Sequence, residues 1–202
     1  MKFEEGILSA EVDADNNAIT FACQTVQQTV QAQEAFLIHC DNRTTVAHLH
    51  DDEWHFTAVD TSSLTAMASY HWFYQEGTFY ASHPHGLMAI ENGVITPLTN
   101  TPLWRGDICS AGGLAEHNTL YVLTEKAQVY LLDQTGTLLQ QIALDETNAN
   151  ESHCSDFLLA AGSSQLLIID GAINLMYLID QHSEHAHIHS RTQLPNYLRP
   201  AA

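Results

Sequence analysis

The chain has 202 residues, 45% of them hydrophobic, and sets 24 acids against six Lys and Arg, for a formal charge of −18 with histidine neutral. The hydrophobic share argues against a disordered chain, and the length fits one domain over residues 1–202 that buries roughly 70% of its unfolded surface. Spread over about 9,000 Å² of folded surface, the charge comes to about one per 500 Å²; a field of that sign repels nucleic acid and anionic membranes and favours a basic protein partner.

The chain opens Met1-Lys2-Phe3-Glu4-Glu5-Gly6, without the apolar stretch and small-residue cleavage site of a signal peptide. Asn17–Ala22 and Glu34–Cys40 are candidate strands of a first unit, which Thr45–His50 and Trp54–Val59 would finish. Thr25–Phe36 is ambiguous: Val26 and Val30 stand one helical turn apart, and the segment reads as a short helix or as a pair of strands. From there on, period two dominates. Thr78–Ser82, Gly86–Glu91 and Val94–Leu98 alternate around tight turns, the last of them Asn92-Gly93. Ile108–Leu114, rich in small residues, precedes Thr119–Thr124, Gln128–Asp133 and Leu138–Leu144. Phe157–Gly162 stands in the same way before Gln165–Asp170, Asn174–Asp180 and Ala186–Ser190. No run approaches the 18 apolar residues of a membrane span.

The three units repeat. Phe79, Leu120 and Leu166 occupy matching positions about 41 and 46 residues apart, and four-stranded units at such periods mark propeller blades. Over residues 67–190 the chain resembles β-propeller repeat proteins in pattern, without a Gly-His…Trp-Asp or kelch signature. The resemblance implies an all-β fold of antiparallel four-stranded repeats with four or five blades. A β-sandwich or an irregular barrel is the alternative arrangement of the same strands.

Several clusters could carry function. Asp51, Asp52 and Glu53 form an acidic tip beside Trp54, too many acids for the few cations of the chain to pair. In Tyr70-His71-Trp72-Phe73-Tyr74, a strand places Tyr70, Trp72 and Tyr74 on one face, either as blade packing or as a binding platform. Trp104 is a further anchor candidate. His185, His187 and His189 share one face of a strand at about 6.6 Å spacing, close enough to converge on a divalent transition metal; with Ala186 and Ile188 turned inward, a polar solvent face accounts for the same pattern. Cys23, Cys40, Cys109 and Cys154 are scattered, with no C-x-x-C pair, which predicts buried reduced thiols and a cytoplasmic location.

Catalytic motifs are missing: there is no G-x-S-x-G, H-E-x-x-H, P-loop or G-x-G-x-x-G. The expectation is therefore an acidic, non-enzymatic binding module without a cofactor, which captures a basic protein as an immunity protein neutralises a cationic toxin. A small hydrolase or lyase using acids and histidines, and a histidine-rich metal-binding protein, are the alternatives. Protonating all thirteen histidines takes the formal charge from −18 to −5, and loss of net charge promotes association. Light scattering should therefore rise as the pH falls from about 7.5 to 5; a flat trace contradicts this.

Overall fold

Short alternating runs separated by tight turns pair most readily with their neighbours in sequence, because each hairpin closes only a small loop. The computed structural model describes residues 2–4, 10–12, 19–22, 26–31, 35–40, 43–51, 53–62, 64, 70–144, 153–182 and 185–195. It is an all-β, propeller-like fold. A three-stranded sheet contains β1 (Lys2–Glu4), β2 (Ala10–Val12) and β3 (Ile19–Ala22) in the order β1-β3-β2. Four antiparallel meanders follow, and we call them blades 1 to 4. Blade 1 is β4 (Val26–Gln31), β5 (Ala35–Cys40), β6 (Arg43–His50) and β7 (Glu53–Val59). Blade 2 is β8 (His71–Gln75), β9 (Thr78–His83), β10 (Gly86–Glu91) and β11 (Val94–Pro97). Blade 3 is β12 (Ile108–Leu114), β13 (Thr119–Thr124), β14 (Gln128–Leu132) and β15 (Leu138–Ala143). Blade 4 is β16 (Phe157–Ala161), β17 (Gln165–Asp170), β18 (Leu175–His182) and β19 (His185–Gln193). The ambiguous segment at 25–36 resolves as strands, with β4 pairing β5.

The sheets pack face to face through three apolar clusters. Leu37, Val46, Trp72 and Phe79 join blade 1 to blade 2. Tyr80, Leu87, Leu120 and Tyr130 join blade 2 to blade 3. Leu123, Leu131, Ile168 and Tyr177 join blade 3 to blade 4. Period two makes this possible, because successive side chains of one strand serve opposite neighbours.

The first strand of each blade lies innermost. β8 contacts β12, β12 contacts β16, and β4 contacts β8. These strands run in the same direction: at their C-terminal ends Gln75 Nε2 donates to Leu114 O (3.3 Å) and Glu116 N donates to Ser163 O (3.0 Å). The small residues of β12 permit the approach; a Cβ on Gly113 would overlap the Gln75 amide. At the outer rim the Asn92-Gly93 turn has both residues at positive φ, 51° and 76°, as a type I′ hairpin requires. A Cβ on Gly93 would stand 2.6 Å from Ala58 O of blade 1.

At the N-terminal ends of β12 and β16 the structure corrects the expectation of reduced thiols, for Cys109 and Cys154 form a disulfide with a Cα–Cα distance of 4.8 Å. Scattered spacing misled because the two cysteines come from successive blades and meet only when the innermost strands align. The bridge closes a loop of 45 residues, and chain-entropy reasoning gives it about 4 kcal/mol. The Cys109→Ser/Cys154→Ser variant should lose stability by roughly that amount in urea unfolding; an unchanged midpoint contradicts it.

Candidate functional site

Parallel innermost strands divide the turns into two sets. The described turns at 51, 76–77, 92–93, 115–118, 133–137 and 162–164 all follow first or third strands, so they belong to the end where the first strands finish or to the rim beside it. None of these turns contains Lys or Arg. Exposed acids at or beside them are Asp51, Glu53, Glu76, Glu91 and Glu116. Arg43, Arg105 and Lys126 fall in or next to the opposite set of connections. Among the described residues these turns thus carry acids and no Lys or Arg, whereas the opposite set mixes Asp60, Asp107 and Glu125 with Arg43, Arg105 and Lys126.

The predicted acidic tip lies in this set. Asp51 is at φ 50° in the β6–β7 turn, and His50 Nε2 is 3.4 Å from its carboxylate, both side chains in solvent. Glu53 is exposed at the start of β7, and Asp52 lies outside the described residues. Trp54 is half-buried, its ring 5.2 Å from Phe36.

The aromatic platform does not reach the surface. Tyr70 and Trp72 do share a face, but it is the face packed on blade 1, where Trp72 is only 3% exposed. Both residues act as inter-blade core, which corrects their reading as surface anchors. The indole Nε1 of Trp72 has no hydrogen-bond partner among the described residues. Trp104 is half-buried edge-on against Tyr130, with ring centroids 5.1 Å apart, and Arg105 N donates to the Tyr130 hydroxyl. Beside it Leu103 is 97% exposed, an apolar contact point that sequence reasoning passed over because nothing in Pro102-Leu103-Trp104 separates an exposed Leu from a packed one.

His185, His187 and His189 are all exposed on β19, alternating with the more buried Ala186 and Ile188, and the His187 and His189 ring centroids lie 6.2 Å apart. A β-bulge lies between the pairs Leu178↔Ser190 and Ile179↔Ile188, and His189 is the unpaired residue. His187 stands opposite Asp180 and stacks on His182 with centroids 5.6 Å apart; His182 Nε2 is 3.2 Å from Asp180 Oδ2. Among the described residues no three His, Cys, Asp or Glu side chains converge as metal ligands.

A cleft of about 530 Å³ opens between blade 2 and the β14–β15 turn, lined in part by Thr78, Tyr80, Glu91, Thr96, Asn100 and Gln134. The Tyr80 hydroxyl donates to Gln134 O (3.3 Å), and burial pushes its pKa up, with Glu91 and Asp133 adding to the rise. Burial also raises Asp133, but hydrogen bonds from Thr135 and Thr137 outweigh it and hold the carboxyl below its usual range. Among the described residues Glu91 is the one carboxylate in the cleft lining.

No protein-family model and no curated protein matches the chain. Among solved structures it is similar to apo AztD from Citrobacter koseri (TM-score 0.60, 11% identity), covering 88% of this chain and 49% of AztD. Lower similarity extends to Kluyveromyces lactis Hsv2 (TM-score 0.47, 9% identity, 89% of this chain and 77% of Hsv2). BamB from Moraxella catarrhalis also matches (TM-score 0.45, 9% identity, 71% of this chain and 40% of BamB). All are β-propeller proteins. The chain spans about half the length of AztD.

Two histidines of blade 1 are pushed toward the neutral form by burial. His39 is buried against Thr44 Oγ1 (2.8 Å), and His48 lies between Tyr74 and Phe79; burial lowers both below 6.5. With folded pKa values below the unfolded value, the unfolded chain binds more protons as the pH drops. Their contribution is present above pH 6.5 and is lost as the pH falls below it. The His39→Gln/His48→Gln variant should therefore lose less melting temperature than the parent between about pH 7.5 and 5.5, the shared charge background cancelling in the comparison. Identical pH slopes contradict this.

Proposed function

We propose that the chain is a non-enzymatic, propeller-type binding module that takes a basic protein surface against its acidic end. The observation that carries this reading is the set of six described turns without Lys or Arg, beside which Asp51, Glu53, Glu76, Glu91 and Glu116 are exposed. Such a field speeds encounter with cations and turns away phosphate polymers. Screening over about 8 Å at physiological salt means that it steers but does not hold; holding needs desolvated anchors. With Tyr70 and Trp72 withdrawn into the core, Trp54 at the acidic tip is the anchor the geometry favours. Neutralising a cationic toxin domain, as an immunity protein does, is one form this activity would take.

The Cys109–Cys154 bridge supports an oxidising compartment as the place of action, in preference to the cytoplasm. Among the described residues no helix is long and apolar enough to cross a membrane.

The test uses the partner recovered by pull-down from the native host at moderate salt. In the Asp51→Asn/Glu53→Gln/Glu76→Gln/Glu116→Gln variant, association should slow at least about tenfold and lose its salt dependence, with dissociation nearly unchanged. Trp54→Ala should instead speed dissociation by a factor corresponding to about 2 kcal/mol. A nucleic-acid partner, or an association rate indifferent to salt, overturns the reading.

A further inference from the structure

The cleft beside Tyr80 lies where two blades diverge. Thr78, Tyr80, Ala89, Glu91 and Thr96 line it from three strands of blade 2. They share the face that packs on blade 3: Ala89 pairs with Tyr80 of β9 and with Thr96 of β11, and Thr78 and Glu91 lie two residues along their strands. Apolar packing on that face ends at Tyr80 and Ala89, both 2% exposed. Farther out, strand twist swings the sheets apart and the floor turns polar. Blades 3 and 4 bridge the same divergence at their outer strands, where the Gln140 amide donates to Ala186 O (2.7 Å) and accepts from Ala186 N (2.8 Å). Between blades 2 and 3 a space of about 530 Å³ stays open between two anchored walls. One is the connection at 98–100, held by Leu98 N donating to Leu87 O (3.0 Å). The other is the β14–β15 turn. There Asp133 accepts from Thr135 N (2.8 Å) and Thr137 N (2.9 Å), and Tyr80 ties the turn to blade 2 through Gln134 O.

The lining selects by charge. It contains no Lys, Arg or His to receive a phosphate or a carboxylate. Glu91 is exposed and, among the described residues, ion-pairs with no Lys, Arg or His. Asp133, next to Gln134, adds a second charge; after burial, these two carboxylates are what raise the Tyr80 hydroxyl. Asn100 and Gln134 supply further acceptors, and Ala89, Pro97 and Leu98 an apolar surface. The Tyr80 ring stacks on Phe73 (5.5 Å) inside the core, so it offers a sugar no open aromatic face. Apolar surface beside a solvent-facing carboxylate matches an aliphatic stem with a cationic head.

We propose that this cleft seats the side chain of a lysine or arginine, its stem against Pro97 and Leu98 and its cationic head on Glu91. The assignment deepens the reading above and rests on it for the source of that side chain, a basic protein; a free alkylamine is the other source of the same chemistry.

The probes are n-butylammonium and n-butylguanidinium chloride, with n-butanol and sucrose as uncharged controls, titrated into isotope-labelled protein at constant ionic strength. In the NMR spectrum both cations should shift the backbone amides of Thr78, Glu91, Thr96 and Asn100 and saturate in the millimolar range, as ligands of so few atoms do. Glu91→Gln should weaken them about tenfold. Thr96→Tyr, which keeps every charge but fills the cleft, should abolish the shifts; circular dichroism checks its fold, and if it unfolds, Glu91→Gln alone decides. With the recovered partner, Glu91→Gln should speed dissociation about tenfold and leave association nearly unchanged. The four-acid variant above retains Glu91 and the probes need no partner, so the two readings fail separately. Shifts that a control matches, that survive Glu91→Gln, or that survive a folded Thr96→Tyr overturn the proposal. So do cations that bind while Glu91→Gln leaves the partner's dissociation unchanged, which assigns the cleft to a free alkylamine instead.

Discussion

A four-stranded sheet with apolar residues on both faces cannot sit alone in water, and the packing of one blade on the next answers that constraint throughout this molecule. Strand alternation assigns one set of side chains to each neighbour, so Leu120 and Tyr130 face blade 2 while Leu123 and Leu131 face blade 4. Burying one such side chain contributes about 1.5–3 kcal/mol, so each cluster outweighs any single turn or ion pair. The innermost strands can then approach closely, which is why β12 is built from Cys, Ser, Ala and Gly. Twist directs the rest: the outer strands swing until the end of one blade meets the third turn of the next, as Asp60 N does when it donates to Gly93 O (2.8 Å).

The same geometry sorts charge. Because the first strands are parallel, every turn after a first or third strand belongs to one set, whatever its position in sequence. Asp51, Glu53, Glu76, Glu91 and Glu116 therefore share one set of turns, while Arg43, Arg105 and Lys126 fall in the other together with Asp60 and Asp107. No single acid is exceptional, and the net charge of the chain conveys none of this arrangement.

The strands of blades 2 to 4 were legible because half-buried antiparallel strands write their burial directly into the sequence, and boundaries such as Thr119–Thr124 and Gln165–Asp170 agree with the observed ones. Thr25–Phe36 was ambiguous because two valines four apart fit either period, and only pairing with the following strand decides. Candidate sites were less legible. Alternation correctly placed Tyr70 and Trp72 together, but it could not say whether a neighbour covers that face. The β19 histidines were legible as an exposed row, since His185, His187 and His189 alternate with the more buried Ala186 and Ile188, whereas the bulge at His189 leaves no mark in that pattern. The disulfide was invisible for the converse reason: cysteines 45 positions apart become adjacent only through the alignment of two blades.

In an array of repeats each unit is held by its neighbours, and the joint between two units opens by local fluctuation. The Cys109–Cys154 bond fastens blade 4 to blade 3 beside the hub. When thermal fluctuation parts their packing, the tether keeps the two sheets at high effective concentration, so they reclose faster than a protease can engage the opened strands. The bond thereby makes this joint one that opens without separating.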